Sequence, residues 1–414
     1  MRIRIILLTI LLSLCLANMA GYDENNPPDH IAPDFLAAFY DHYSVNLLNA
    51  SSLGMGGATV AIQGGVENAM TNPAAFKTDQ LTIYFEGMGK SSTREMNSYL
   101  EYEEPEEIKR SEREAAESQK FETGIPAGIL GMGLSPAPFM SLGVSLSIPQ
   151  TIRYNILERR LPTGAFVDRY PTMVNYQTAL TITGHIDELS IGMNVIYNYY
   201  TFREMRLIAP HFDNVRYEKG VFRFQPGAFY EKDRFAFGVT YTFAAEEEIR
   251  MGNQEPYYHI YDMHFPASFE AGTSYRYSDD LTVALAFEYE MTSEQYGQFD
   301  DRLKMKIGFE KQFEEYALRG GLISIPGVYE GAFAIPIDEH TPPGDFIYDP
   351  LPYDYGVVNK ADQLLITGGF TYYLNDIDIN LTFAKDVLQN MDLFQIAGSV
   401  NLKLGQILAR SASR

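Results

Sequence analysis

The chain has 414 residues, 46% of them hydrophobic, with 29 Tyr, 26 Phe, 33 Gly and no Trp, and a formal net charge of -22. So acidic a chain argues against nucleic acid as a partner, and a single cysteine, Cys15, argues against a disulfide framework. After the first residues no run approaches the roughly eighteen apolar residues of a membrane helix, so the chain is either exported and soluble or crosses a membrane as a closed β-barrel.

Met1 to Arg4 is a basic start, Ile5 to Leu16 is an apolar run, and Ala17 to Gly21 is rich in small residues. This is the layout of a secretory signal peptide, with cleavage expected after Ala20. The apolar core is about twelve residues, short of the roughly twenty that span a bilayer. Leu14 stands where a lipoprotein would carry a small residue before Cys15.

Residues 21–78 then precede the first expected strand. Their centre is Ser51 to Phe76, "SSLGMGGATVAIQGGVENAMTNPAAF", with five glycines and an Asn-Pro-Ala break. It is too irregular for one helix and too small-residued for an ordinary strand. Its glycines permit close approach to a wall, and Pro73 biases Asn72 away from helix and removes a donor. Val60, Ile62, Val66 and Met70 offer apolar contacts. The composition suits a segment lying inside a barrel; a tail beneath the barrel is the alternative.

From residue 79 the period is two. Leu303, Met305, Ile307 and Phe309 alternate with Lys304, Lys306, Gly308 and Glu310; Ile377, Ile379, Leu381 and Phe383 alternate with Asp378, Asn380, Thr382 and Ala384. Such alternation gives one apolar and one polar face. Fourteen strands are predicted, at about 79–89, 121–134, 139–150, 173–184, 188–203, 219–231, 234–249, 262–277, 280–294, 301–313, 316–325, 361–375, 376–386 and 392–404. Six connections are tight: at 135–138, 185–187, 232–233, 278–279, 314–315 and 375–376. Those between them are mostly long, at about 90–120, 151–172, 204–218, 250–261, 295–300 and 326–360, with a short last one at 387–391. A soluble sandwich also alternates, but has no reason to put every short turn on one side. The pattern predicts an all-β protein: a fourteen-stranded antiparallel transmembrane barrel (79–404) in a bacterial outer membrane, with a tail from 405 to 414 and both chain ends periplasmic. Residues 101–119, dense in charge, read as a solvated loop or a short exposed helix. The 326–360 connection, rich in proline and aromatics, reads as a loop folded against the barrel mouth, without the spacing of a calcium loop.

"SLGMGGATVAIQGGVENAMTNPAAF" resembles the N-terminal hatch of the FadL-like family of outer-membrane transporters of long-chain fatty acids and aromatic hydrocarbons. The resemblance rests on the run Gly54 to Ala58 and on Asn72-Pro73-Ala74, and is extended by "FQPGAFYEKDRFAFGVTY", "FPASFEAGTSYRYSDDLTVALAFEYE" and "ALRGGLISIP". It implies a fourteen-stranded barrel with the hatch inside, shaped by Gly54, Gly56, Gly57, Asn72, Pro73 and Ala74. It also implies passive uptake of a hydrophobic ligand that leaves sideways through a gap beside a kinked third strand, for which Gly143 and Pro149 are the candidates. The same architecture occurs in PorV-like proteins of type IX secretion, which handle exported protein, and that alternative stays open.

No enzyme constellation stands out. None of the seven histidines has zinc-type spacing, and neither a nucleophile elbow nor a phosphate loop is present. Asp34 with Asp41 and His42 reads as a solvated tail or, less simply, a metal site. No cofactor or metal is expected; the expected partners are outer-membrane lipid, a hydrophobic small molecule and, in the alternative reading, an exported protein. Lys304 and Lys306 are assigned to the interior face. There they either attract a ligand carboxylate or pair with neighbouring glutamates.

Overall fold

The structure is a computed structural model that describes residues 32–33, 49–94, 97–100, 119–122, 127–153, 156–160, 166–208, 211–251, 259–293, 299–328, 331–334, 354–358, 362–388 and 393–404. The expected leader (1–20), the tail (405–414), the Asp34–His42 stretch and the candidate helix before residue 119 lie outside them.

Fourteen strands form the wall: β1 (Thr82–Arg94), β2 (Ala127–Ala137), β3 (Met140–Arg153), β4 (Phe166–Ile186), β5 (Leu189–Ile208), β6 (His211–Lys232), β7 (Phe235–Thr242), β8 (Ser268–Ser278), β9 (Leu281–Glu290), β10 (Arg302–Gln312), β11 (Tyr316–Ile325), β12 (Gln363–Leu374), β13 (Ile377–Asp386) and β14 (Phe394–Lys403). Neighbours pair antiparallel in chain order, and β14 returns to β1 from Thr82↔Lys403 to Ser91↔Phe394. The sheet is therefore closed, and its backbone groups are satisfied without water.

The alternation sorts side chains as expected. Leu303, Phe309, Leu381 and Phe383 are exposed on the outer face, whereas Lys304, Lys306, Thr382 and Ala384 are buried within. Tyr and Phe supply the exposed aromatics in a chain that lacks Trp. The six tight turns all lie at one end, together with the start of β1 and the end of β14. Asp187, Asp233 and Asn375 hold three of these turns with φ of 51°, 55° and 47°, a left-handed conformation that Asp and Asn adopt more readily than most residues.

Two expected loops are mostly strand. The connections at 151–172 and 204–218 disappear into β3, β4, β5 and β6, which run to 14, 21, 20 and 22 residues. Composition marked these stretches as loop because they are rich in charge. Each nevertheless has a partner strand continuing beside it, with pairing unbroken from Tyr230↔Leu189 to His211↔Ile208, and ladder hydrogen bonds outweigh composition once that template exists. Short strands also occur at Gln119–Glu122, Gly331–Ala334 and Asp354–Val358, inside other expected loops.

Because the outer face must meet hydrocarbon, a charge placed there is costly. Leu381→Arg, at an exposed position in the middle of β13, is expected to destabilise the barrel by about 2–4 kcal/mol. Equilibrium unfolding in lipid vesicles measures this, and a cost near zero would mean that this face does not meet lipid.

Candidate functional site

Residues 49–78 lie within the barrel, their route set by short local elements. Asn49 caps helix α1 (Ala50–Gly54), its side chain accepting from Ser52 N at 3.1 Å. Gly56 and Gly57 follow with φ of 62° and 71°, values that most side chains avoid. A single turn, α2 (Val66–Ala69), leads to Asn72, which caps the 3₁₀ turn Pro73–Ala75 by accepting from Ala74 N at 3.0 Å. Gly64 N donates to Ala75 O at 3.1 Å and Lys77 N to Gly64 O at 2.9 Å, closing a loop on itself.

The wall accepts this segment at glycines. A Cβ added to Gly238 would stand 1.9 Å from Val60 O, one on Gly308 2.0 Å from Met55 O, and one on Gly192 2.4 Å from the Pro73 carbonyl carbon. Gly227 meets the Asn72 side chain and Gly321 meets Gly56 in the same way, at 2.3 and 2.4 Å. On the segment's side, a Cβ on Gly56 would come 2.6 Å from Ile307 O, and one on Gly54 3.2 Å from Gly369 Cα. These wall glycines are the functional residues that sequence reasoning missed. Each occupies an inward-facing position of its strand, and that shared phase is the signal that could have found them.

Polar wall side chains then tie the segment's backbone. Thr183 Oγ1 donates to Pro73 O at 2.6 Å, Asn194 Nδ2 to Ala69 O at 2.7 Å and Ser274 Oγ to Ala61 O at 2.8 Å. Glu86 of β1 accepts from Asn49 N at 3.0 Å and Ala50 N at 2.7 Å. Asn72, fully buried, donates from Nδ2 to Val60 O at 2.8 Å and to Ala228 O at 3.3 Å. Val60 and Val66 are buried, Ile62 and Met70 pack against their clusters, and Phe76 is fully enclosed beside Tyr84 and Ile129. Ala74 packs against Phe229 and Ala236. Glu67 accepts from Gly65 N at 3.0 Å through Oε1. Its other oxygen is buried without a partner among the described residues, and loss of solvent pushes this carboxyl above its ordinary value.

The segment divides the bore. On the loop side is a chamber of about 250 Å³ whose floor includes Ser52, Gly57, Met70 and Thr71 and whose walls are largely amides, hydroxyls and charges. On the turn side, a second cavity of about 290 Å³ is bordered by Ile62, Gln63, Arg234, Arg276 and Asp279. Arg276 thus sits at the turn end, half-exposed and paired with Glu231 at 3.0 Å.

Lys304 and Lys306 line the chamber. Glu270 and Glu288 stand directly opposite one another on β8 and β9. Lys306 Nζ bridges them at 2.9 and 2.6 Å. Lys304 reaches Glu288 at 3.0 Å and Glu290 at 2.7 Å, and Arg302 reaches Glu290 at 3.5 Å. Three cations face three carboxylates, so the lysines are neutralised by the wall itself, which is the second of the two readings the sequence left open.

Pro149 also lines the chamber. Among the described residues the β2–β3 pairing ends at Ile129↔Ser147, and the β3–β4 register slips between Ser147 and Gln150. The ladder is thus interrupted on both sides of Pro149. Gly143 lies instead in the regular ladder opposite Gly133, where a Cβ would meet the Phe76 ring at 3.1 Å. It makes room for the inner segment, and the candidate gap narrows to Pro149.

This geometry defines a class: a closed outer-membrane-type barrel of fourteen strands with chain laid through its bore. Solved structures share that fold. A FadL homologue of Pseudomonas aeruginosa is 12% identical with a TM-score of 0.56, covering 86% of this chain and 98% of its own. The toluene transporter TodX of Pseudomonas putida is 12% identical with a TM-score of 0.56, covering 85% and 96%. The toluene transporter TbuX of Ralstonia pickettii is 12% identical with a TM-score of 0.60, covering 87% and 98%. A family model, that of the type IX secretion system membrane protein PorP/SprF, matches residues 164–322. No curated protein sequence matches the chain.

Two outcomes follow from the packing. Gly238→Val is expected to leave the barrel intact but expel the segment near Val60, seen as new protease cleavage between residues 49 and 78 in the folded protein; unchanged protection would refute the contact. Lys306→Met strands two facing carboxylates and is expected to cost about 3–5 kcal/mol. Adding Glu270→Gln should recover part of that loss in thermal unfolding, and no recovery would mean the charges are not coupled.

Proposed function

We propose that the protein is an outer-membrane channel through which hydrophobic small molecules, such as aromatic hydrocarbons or long-chain fatty acids, pass without energy input. Residues 21–78 form its hatch, the tight-turn end and both chain ends face the periplasm, and residues 1–20 and 405–414 are leader and tail. The observation that carries this reading is the chamber bordered by Pro149, where the ladder is interrupted on both flanks. A ligand entering from the loop side meets the inner segment as a floor, and the weakened wall offers it a way into the bilayer. The fold shared with two toluene transporters supports the same reading. Asn72 and Pro73 hold the floor to β4 and β6 through Thr183 and Ala228, so they are the gating residues of this mechanism.

A second reading is favoured by a separate observation. The PorP/SprF model matches residues 164–322, a span that takes in most of the elongated strands β4, β5 and β6. In that reading the elongated strands hold an exported protein, and the polar chamber is a structural filling.

Vesicles carrying the protein are expected to take up toluene or oleate faster than empty vesicles, and Asn72→Ala is expected to change that rate while the barrel stays folded. Uptake no faster than in empty vesicles ends the channel reading. Mass spectrometry of material co-purified in mild detergent separates the two readings, acyl or aromatic ligands supporting the first and a stoichiometric protein without lipid the second.

A further inference from the structure

A row of arginines crosses the outer face of the elongated strands. Arg203 of β5 stands opposite Arg216 of β6 and, on its other side, opposite Thr172 of β4, which stands opposite Arg153 of β3. On β5 the outward positions carry the exposed Ile191, Met193 and Tyr197, and Arg203, itself exposed, lies on the same face by the strand's period of two. The outward positions of β6 carry Phe222 and Phe224, and those of β4 carry Tyr176 and Leu180. Counted from these, Arg216 and Thr172 share the phase of Arg203, which their register requires. In a chain of net charge -22, this is a concentrated line of positive charge.

Its level in the membrane follows from the same strands. Tyr176 and Tyr199 lie side by side, their ring centroids 6.4 Å apart, and Tyr197 packs on Phe222 at 4.8 Å. Exposed aromatics at the edge of an apolar band mark the boundary of the hydrocarbon. The arginine row begins four residues beyond Tyr199, about 13 Å along the strand, and lower in true height because barrel strands tilt. That is the layer of lipid headgroups. Glu218, two positions from Arg216 toward the aromatics, is engaged by the Tyr199 hydroxyl.

Arginines directly opposite one another across a ladder repel, and a registered line of them is stabilised by an anion held between. A guanidinium fork matches phosphate in geometry and charge. We propose that Arg153, Arg203 and Arg216 form a binding row for the phosphate groups of outer-leaflet lipid, seating the loop end of the barrel on a phosphorylated glycolipid headgroup. The inference does not depend on what the bore transports.

The test uses the full-length protein in detergent micelles, exposed in turn to bis-phosphorylated lipid A, to the same lipid with its phosphates removed, and to inorganic phosphate, with bound lipid read by native mass spectrometry. The phosphorylated lipid is expected to be retained about tenfold more strongly than its dephosphorylated form, taking roughly 1 kcal/mol for each arginine at the headgroup layer. Arg203→Glu with Arg216→Glu should abolish that preference, and millimolar inorganic phosphate should not compete. Equal retention of the two lipids by the unaltered protein overturns the proposal without reference to any variant. So does an unchanged preference in the double variant, or in Arg203→Gln. Efficient competition by inorganic phosphate would reduce the row to a simple anion site and overturn the lipid assignment.

Discussion

In hydrocarbon a peptide group has no water to turn to, and every unpaired N–H or C=O costs several kcal/mol. The pairing of β14 with β1 removes the sheet's last edges, and most other features follow from that closure. A closed sheet has an inside and an outside, so a period of two becomes a separation of phases. Leu, Phe and Tyr line the outside, while Thr, Asn, Gln and paired charges line the bore.

Closure leaves a bore to be filled, and this protein fills it with backbone. The inner segment lies against the wall at Gly192, Gly227, Gly238, Gly308 and Gly321, where no side chain stands between the two chains. Such contact brings carbonyls within reach of short wall side chains, and Thr183, Asn194 and Ser274 each donate to one. The result is a floor of small residues between two polar compartments. Above it, Lys304 and Lys306 are occupied by Glu270, Glu288 and Glu290. Breaking such a network costs far more than the network adds. A charge-balanced wall also leaves little pull for a ligand's own carboxylate, which turns attention from the lysines to the interrupted ladder at Pro149.

The elongated strands set this barrel apart from a minimal one. A membrane strand needs about nine to eleven residues, and β4, β5 and β6 have 21, 20 and 22. Their outer ends stand clear of the bilayer as a paired sheet. That sheet is the natural meeting place for whatever lies at the loop side, lipid headgroup or protein.

Much of this was written in the order of residues. The period of two, the tight turns at every second connection and the strand count needed only local chemistry, because side-chain phase and turn propensity are local properties. That Lys304 and Lys306 face inward was equally legible from their alternation with Leu303 and Met305. Which carboxylates they meet was not, because Glu270 is brought to Lys306 only by the register of β8, β9 and β10. The wall glycines were individually visible but had no meaning until the segment that touches them was in place. Charge-rich composition concealed the length of β4 to β6, since a strand beyond the membrane is stabilised by its neighbour's backbone instead of by its own side chains. The sequence alone determined the barrel and its inward and outward faces, because phase repeats every two residues. Tertiary structure alone decided where the inner chain rests, which charges pair and where the ladder parts, because those depend on contacts between residues far apart in the chain.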